Sequence, residues 1–253
     1  MTTKGKIGII AALIICVALF GWLNHMAGES GKPPAPPKPI VLPDDLKLLK
    51  DNWSSLIANA AGPPLGNPNA PWTVIEFGDF QCPQCGKAHE YAERMVQKSN
   101  GHVKLYFFNF PLVNIHAHAH GAALAGLAAA NQGKFWDLYE SMYTNQNQLS
   151  DAGIAILASS VHGLDWTKFH ADWYSPATAA KLSNSVALAN TVKIEITPTF
   201  VLRRSNGGPV DRFVGMFGQK IDPQYPGLYD LMAQNPWHAN YDSYDLPDES
   251  REQ

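Results

Sequence analysis

A pair of cysteines directly after a strand-like segment constrains the fold of this chain more than any other feature. Residues 72–80, WTVIEFGDF, are rich in β-branched and aromatic residues, and they predict a buried strand. They lead into Cys82-Pro83-Gln84-Cys85, behind which apolar residues recur at helical spacing. Pro83 suits the first turn of that helix, where its missing N–H costs no hydrogen bond. The sequence therefore predicts a strand, a C-x-x-C turn and a helix, in that order.

The position of Cys82 at the start of a helix predicts a reactive thiolate. Free N–H groups and the helix dipole stabilise negative charge at a helix N-terminus. We therefore expect the pKa of the Cys82 thiol to lie below the value of about 8.5 of a free cysteine. Cys85 lies one turn further along, where it is expected to be shielded and to attack a mixed disulfide formed at Cys82. A substrate thiolate would attack the Cys82 sulfur, which we expect to be exposed.

Three other uses of a C-x-x-C pair agree less well with the sequence. A zinc site needs further ligands, and the only other cysteine, Cys16, lies in the N-terminal apolar run. A c-type haem site needs histidine after the second cysteine, where Gly86 stands. A structural disulfide would gain little from closing so short a loop. Redox chemistry without a metal or a cofactor is the favoured interpretation, and a structural or metal-binding pair is the alternative.

The charged and aromatic residues favour no other function. The formal net charge is -3 and the basic residues form no stripe, which argues against a nucleic-acid partner. His116, His118 and His120 form an H-x-H-x-H pattern, which we interpret as surface residues at a helix start rather than as metal ligands. Four aromatic residues at helical spacing are expected to pack in the core: Phe135, Trp136, Tyr139 and Tyr143.

The N-terminal segment predicts a single membrane anchor. Residues 7–23 form an unbroken apolar run, which can just cross a hydrocarbon core of about 30 Å. Lys4 and Lys6 precede it and favour a cytoplasmic N-terminus, which places the body on the extracytoplasmic (periplasmic) side of the inner membrane. The alternative is a cleaved signal peptide, but His25 stands where a small residue belongs. If residues 7–23 form an anchor, Cys16 lies within the membrane and takes no part in the chemistry.

The rest of the chain alternates between spacers, strands and helices. Residues 28–43 are rich in proline and predict an extended spacer. The other predicted elements are a helix at 44–60, a second strand at 102–110, four or so helices within 114–192, a hairpin of 194–203 with 210–217, a short helix at 223–233 and a polar tail from 236.

Three stretches together resemble the DsbA-like branch of the thioredoxin superfamily, and its Gram-positive membrane-tethered members in particular. They are EFGDFQCPQC, the later ITPTF, and GKFWDLYESMYTNQ. The resemblance covers about residues 66–233. It implies that Cys82 is the nucleophile and Cys85 its buried resolving partner. It also implies that Pro198 is a cis-proline against the active disulfide, which would place the Thr197 backbone beside an incoming peptide.

The resemblance further implies an α/β protein with a thioredoxin fold and an inserted helical domain, preceded by the predicted transmembrane helix. The insertion is needed if Cys82 and Pro198 are to meet at one site. The predicted divisions are 1–24 (cytoplasmic stub and anchor), 25–65 (spacer and short helix), 66–113 with 193–235 (thioredoxin core), 114–192 (inserted helices) and 236–253 (acidic disordered tail).

Two further residues have expected roles beside the cysteines. Glu76 lies where the family has a buried acid, thought to help move the proton of Cys85. A carboxyl group inside an apolar strand would also have a raised pKa, and the alternative is an acid that reaches the surface at a sheet edge. Gln84, with Pro83, is expected to tune the redox potential. Because the most oxidising members carry histidine in place of Gln84, a milder oxidant is expected.

The implied function is disulfide formation in exported proteins, with reoxidation by a membrane redox partner that is linked to quinones. A reductase or an isomerase is the first alternative, because threonine before the proline recurs in isomerase-like members. A binding or chaperone module of the cell envelope, with incidental cysteines, is an alternative of another class.

Overall fold

The computed structural model of the protein describes residues 43–207 and 210–214. Helices α1 (Pro43–Asp51) and α2 (Trp53–Ala58) come first. The strands and the helix among them are β1 (Leu65–Gly66), β2 (Trp72–Gly78), α3 (Pro83–Lys98), β3 (Val103–Asn109), β4 (Thr199–Arg204) and β5 (Val210–Val214). Between β3 and β4 lie α4 (Ala119–Ala130), α5 (Phe135–Thr144), a 3-10 turn (Gln146–Gln148), α6 (Asp151–Ser159), α7 (Trp166–Trp173) and α8 (Pro176–Thr191).

The strand that leads to the cysteines lies in the centre of the sheet. The order of the five strands is β1-β3-β2-β4-β5, with β2 parallel to β3 and antiparallel to β4. Val74 of β2 pairs with Leu105 of β3 and with Leu202 of β4. Parallel strands need a crossover connection, and α3 supplies it. The last residue of β2, Gly78, is buried and pairs with Asn109 of β3, close to where α3 begins.

Helices cover both faces of the sheet because alternate strand residues point to opposite faces. On one face Val74 and Leu105 pack against Ala88, Ala92 and Met95 of α3. On the other face Ile75, Phe77 and Phe108 pack against residues of three helices, namely Leu49 of α1, Leu56 of α2 and Ala189 of α8. The sheet is thus the middle of three layers.

The inserted helices pack around α4 in a hydrophobic cluster that also includes Phe80, Cys82 and Cys85. This helix is rich in alanine and is buried nearly all round, as expected for a helix without a polar face. Trp173 of α7 packs against it and donates its Nε1–H to the Gly121 carbonyl at 2.8 Å. Ser150 and Ser175 cap α6 and α8 by accepting backbone N–H groups, which satisfies donors at both helix starts.

The α/β fold with inserted helices is confirmed, with three corrections to the predicted elements. The segment 114–192 holds five α-helices rather than about four. The helix predicted over 44–60 is two helices. The strand predicted from 194 begins only at Thr199, because Pro198 has no N–H for a sheet hydrogen bond and Lys193 has a φ of 58°.

Several predicted segments lie outside the described residues. They are the membrane anchor at 7–23, most of the spacer, the end of the hairpin at 215–217, the helix at 223–233 and the tail. Among the residues that the structure does describe, no helix combines the length and the apolar character needed to span a membrane. The boundaries of the predicted domains stay predictions.

Candidate active site

The two cysteines occupy the first turn of α3. Cys82 is the N-cap residue with an extended backbone, and its N–H donates to the Asp79 carbonyl at 3.1 Å. Cys85 is fully buried, whereas Cys82 is 6% exposed. The prediction of an exposed Cys82 sulfur is therefore too strong. Only a small part of this residue is accessible, and the exposed part of the turn is Pro83 and Gln84.

The environment gives the two thiols opposite acidities. The pKa of Cys82 is lowered to about 5, mainly because the Cys85 thiol hydrogen-bonds to its sulfur. Burial opposes this shift, while Thr197 and the N–H groups of Cys85 and Gln84 add to it. The pKa of Cys85 is raised well above 9, first by burial and then by its hydrogen bond to Cys82. Near neutral pH the reduced pair is one thiolate and one thiol.

We expect alkylation of the reduced protein by iodoacetamide to label one cysteine quickly. The rate should rise with pH around a midpoint of about 5, because only the Cys82 thiolate reacts. Cys85 should stay unlabelled below pH 9, because it is buried and protonated. Mass spectrometry of peptides quenched at intervals measures both rates. Equal labelling of the two cysteines would contradict the assignment.

A distant segment meets the cysteines at this point. The Thr197-Pro198 peptide bond is cis, and Cys82 Sγ lies 3.5 Å from the Thr197 carbonyl oxygen, to which it can donate only when it is protonated. Ile196, just before this pair, is half exposed. The chain thus leaves the sheet after β3, passes through the inserted helices and returns to the cysteines before β4.

Glu76 lies beneath the cysteines on the central strand. It is fully buried, so the alternative of an acid that reaches the surface at a sheet edge is wrong. Tyr139 of α5 donates its hydroxyl to Glu76 Oε2 at 3.1 Å. Burial raises the pKa of Glu76 to about 8, although the Tyr139 hydrogen bond opposes the rise. At neutral pH this carboxyl group is mostly protonated and lies close enough to Cys85 to raise the pKa of that thiol.

Tyr139 has a second role that the periodicity of α5 did not indicate. Its ring packs in the core with Phe135 and Tyr143, as predicted for this group, while Trp136 is only partly buried. Its hydroxyl nevertheless binds the buried acid. Spacing alone identifies an apolar face and does not show which polar atom a buried tyrosine reaches.

Buried Asp79 and partly buried His116 form a pair that sequence reasoning missed. The Asp79 carboxylate accepts the N–H groups of Gln81 and Leu112, both at 2.8 Å. His116 Nδ1 lies 2.7 Å from Asp79 Oδ2. His116 is thus mostly covered rather than a surface residue, because this contact draws it against the cysteine turn. His118 and His120 are exposed at the start of α4, as predicted. The sequence signal that could have indicated this role is the position of Asp79, three residues before Cys82.

Gln146 also holds the cysteine turn and was not identified from the sequence. Its Nε2 donates to the carbonyls of Phe80 and Cys82, at 2.8 and 2.9 Å. A Cβ at Gly86 would lie 2.1 Å from Gln146 Oε1, so glycine after Cys85 makes room for this amide. Because Gln146 lies far along the chain in the inserted segment, only the fold brings it here.

Comparison with known proteins assigns the family. Residues 58–208 match a family profile described as Thioredoxin. The Na(+)/H(+) antiporter NhaA 1 of Mycolicibacterium gilvum is 31% identical over 212 residues, which are 82% of this chain and 32% of that protein. The first curated relatives are all such antiporters, and the chain spans 22% to 32% of their length.

Two other relatives match over most of their own length. The probable disulfide bond formation protein D of Bacillus cereus is 27% identical over 171 residues, which are 63% of this chain and 78% of that protein. The solved structure of a thioredoxin-like oxidoreductase from Silicibacter pomeroyi has a TM-score of 0.56 and 29% identity, and the match covers 66% of this chain and 91% of that one. The chain, with its paired cysteines at the start of α3, therefore belongs to the thioredoxin family.

Proposed function

We propose that the protein forms disulfide bonds in exported proteins by accepting their electrons at the Cys82–Cys85 pair. The opposite acidities of the two thiols are the main support. The structure holds Cys82 as a thiolate near neutral pH, and this stabilises the reduced pair relative to its disulfide. A disulfide whose reduced form is stabilised is an oxidant. Electrons would therefore flow from substrate thiols into this protein.

The proposed reaction uses both cysteines in turn. A substrate thiolate attacks the Cys82 sulfur, the Cys82–Cys85 bond breaks, and Cys85 leaves with the electron pair. Because the pKa of Cys85 is raised, its thiolate takes up a proton, and Glu76 is the nearby protonated acid. A second substrate thiolate then attacks its partner sulfur in the mixed disulfide. The substrate disulfide forms, and Cys82 leaves as a stabilised thiolate.

An apolar rim beside the cysteines supports unfolded polypeptides as substrates. Val113 and Ile115 are exposed in the loop that Asp79 ties to the cysteine turn. Ile196 is exposed next to Thr197, so apolar side chains flank the turn from two segments. The Thr197 backbone, adjoining this rim, would pair with the main chain of a bound peptide. Chains that have not finished folding expose apolar residues near their free cysteines and suit such a rim.

We place the protein on the extracytoplasmic face of the inner membrane, with residues 7–23 as its anchor. The apolar N-terminal run supports this location. The name of the Bacillus cereus relative, disulfide bond formation protein, agrees with the proposed chemistry. A membrane partner that passes electrons to quinones would reoxidise the cysteines. The antiporter activity of the first relatives is not proposed, because the chain spans less than a third of those proteins.

The reduction potential of the pair tests the direction of electron flow. Equilibration of the protein with glutathione buffers should give a value of about -120 to -180 mV, the range of oxidising members of this superfamily. Gln84 carries no charge that could stabilise the thiolate, so we expect a reduction potential nearer to about -180 mV than to about -120 mV. The fraction of reduced protein can be followed by alkylation and mass spectrometry.

The opposite result selects the alternative function. A potential near -270 mV is typical of a reductase and would reverse the proposed flow. Rearrangement of a scrambled disulfide substrate, faster than its oxidation, would instead support an isomerase. Activity on both reduced and scrambled ribonuclease separates these two cases.

A further inference from the structure

A second group of acids lies between α3 and α5, behind the buried Glu76. Glu93 of α3 is half-buried and shares a hydrogen bond with Glu140 of α5. The Nε2 atom of His89, a buried residue one helical turn before Glu93, lies 3.6 Å from Glu140 Oε2. The His89 ring also stacks on Tyr143, with centroids 5.2 Å apart. These contacts hold three titratable side chains in one polar seam between two helices.

This seam is electrostatically connected to the acid beneath the cysteines. The charge of Glu93 raises the pKa of Glu76, and both Glu76 and Glu93 raise the pKa of Tyr139. The pKa of Glu93 is itself raised to about 7, by burial first and then by Glu140. Two neighbouring acids thus change protonation close to neutral pH. Glu76 Oε1 has no hydrogen-bond partner among the described residues, so this oxygen is free to exchange a proton.

The seam reaches solvent away from the cysteines. Glu140 is exposed and lines an open cavity of about 480 Å³ together with Trp136, Asp137 and His162. Neither cysteine nor Pro198 lines this cavity. A bound substrate peptide would cover the narrow opening at Cys82, but it would leave the cavity open. Protons need such a separate route when the reacting sulfurs are covered.

We propose that Glu93 and Glu140 carry protons between Glu76 and the solvent in this cavity. The inference rests on the proposed thiol–disulfide exchange and adds the route by which its proton travels. When Cys85 leaves the disulfide, it takes the proton of Glu76, and Glu76 regains one from Glu93, which is resupplied through Glu140. When Cys85 attacks a mixed disulfide, the same proton moves outward. Glu93 and Glu140 act through Glu76 and do not contact the sulfurs.

Other charged groups around Glu93 also affect its pKa. On its own helix it faces His89 and Glu90; Glu90 also raises its pKa. From α5 it meets Glu140, and its own charge raises the pKa of Glu76 on β2. Tyr139 lies between the two layers and donates to Glu76. Glu140 and Glu90 are the charged groups that raise the pKa of Glu93.

The test follows the attack of Cys85 on a mixed disulfide between Cys82 and glutathione, as release of glutathione against pH. In the wild type the rate should rise around the pKa of Glu76, about 8, to a plateau. Glu93→Gln should shift this midpoint to lower pH, because a negative neighbour is lost. It should also lower the plateau roughly tenfold, less than the roughly 100-fold cost of losing a direct general acid or base. The solvent deuterium isotope effect on the plateau should increase.

Matched variants separate a proton route from a structural effect. Asp137→Asn removes a carboxylate that lines the same cavity on the same helix, and it should leave the profile unchanged. Glu93→Asp should restore most of the plateau, and Glu140→Gln should lower it as Glu93→Gln does. A shifted midpoint with an unchanged plateau in Glu93→Gln would overturn the route. If the wild type releases no glutathione at all, the exchange itself fails, which is a different result.

Discussion

Cys82→Ser is expected to abolish thiol–disulfide exchange, leaving only the rate seen without protein. A serine hydroxyl cannot form the mixed disulfide, and buried Cys85 cannot replace it because its thiol is inaccessible and protonated near neutral pH. Oxidation of reduced ribonuclease, followed by recovery of its activity, measures the loss. Full activity of the variant would show that the cysteines are incidental, as in a binding or chaperone module.

Cys85→Ser is the matched control for this prediction. It keeps the nucleophile at the helix start but removes the resolving thiol. When it is given scrambled ribonuclease, the Cys82 thiolate of the variant should attack a substrate disulfide and displace one of its sulfurs as a thiolate. Mixed disulfides should therefore accumulate at Cys82, visible on non-reducing gels and reversed by reductant. Trapping in Cys85→Ser together with loss in Cys82→Ser would assign the two roles. Trapping in neither variant would contradict the proposed mechanism.

Glu76→Gln is expected to make the protein more stable at alkaline pH. The folded carboxyl group keeps its proton up to about pH 8, whereas in the unfolded chain it ionises around 4.5. Between these values the folded state binds more protons, so the free energy of unfolding of the wild type falls as pH rises, by on the order of 5 kcal/mol in total. Below 4.5 and above 8 this contribution is constant. The neutral glutamine has no such slope.

Urea unfolding of both reduced proteins between pH 5 and 9 measures this difference. Cys82 contributes a slope of the opposite sign in that range, because folding lowers its pKa, and it cancels between the two proteins. At pH 9 we expect Glu76→Gln to exceed the wild type by on the order of 2–4 kcal/mol. Glu90→Gln, which removes an exposed acid from α3, should show no such gain. Parallel slopes for wild type and Glu76→Gln would mean that Glu76 is not a buried neutral acid.

Local patterns in the sequence predicted the parts of the site that lie close together along the chain. The strand-like run before Cys82 and the helical spacing after Cys85 define one strand–turn–helix unit, and the structure has that unit with nearly the predicted limits. The apolar neighbours of Glu76 indicated a buried acid, and it is fully buried. These features depend on residues within a few turns of each other, where periodicity is informative.

Contacts between distant segments could not be read in the same way. Nothing near Gln146 shows that its amide binds the carbonyls of the cysteine turn, because that depends on how the inserted helices dock. His116 looked like a surface residue for the same reason, since its partner Asp79 lies before the cysteines. Thr197 and Pro198 were placed through the family resemblance rather than through spacing. Single-sequence reasoning detects elements more readily than the polar contacts that join them.

Through the amide of Gln146, the inserted helical segment affects the electrostatic environment of the cysteines. It binds two carbonyl groups of the turn in which the thiolate is stabilised, so the orientation of that turn is set from outside the four-residue motif. Grafting Cys-Pro-Gln-Cys alone onto a related protein would therefore transfer the two thiols but not the reduction potential of the pair. During divergence, substitutions in this helical segment could adjust the oxidising strength of the protein while its motif stayed the same.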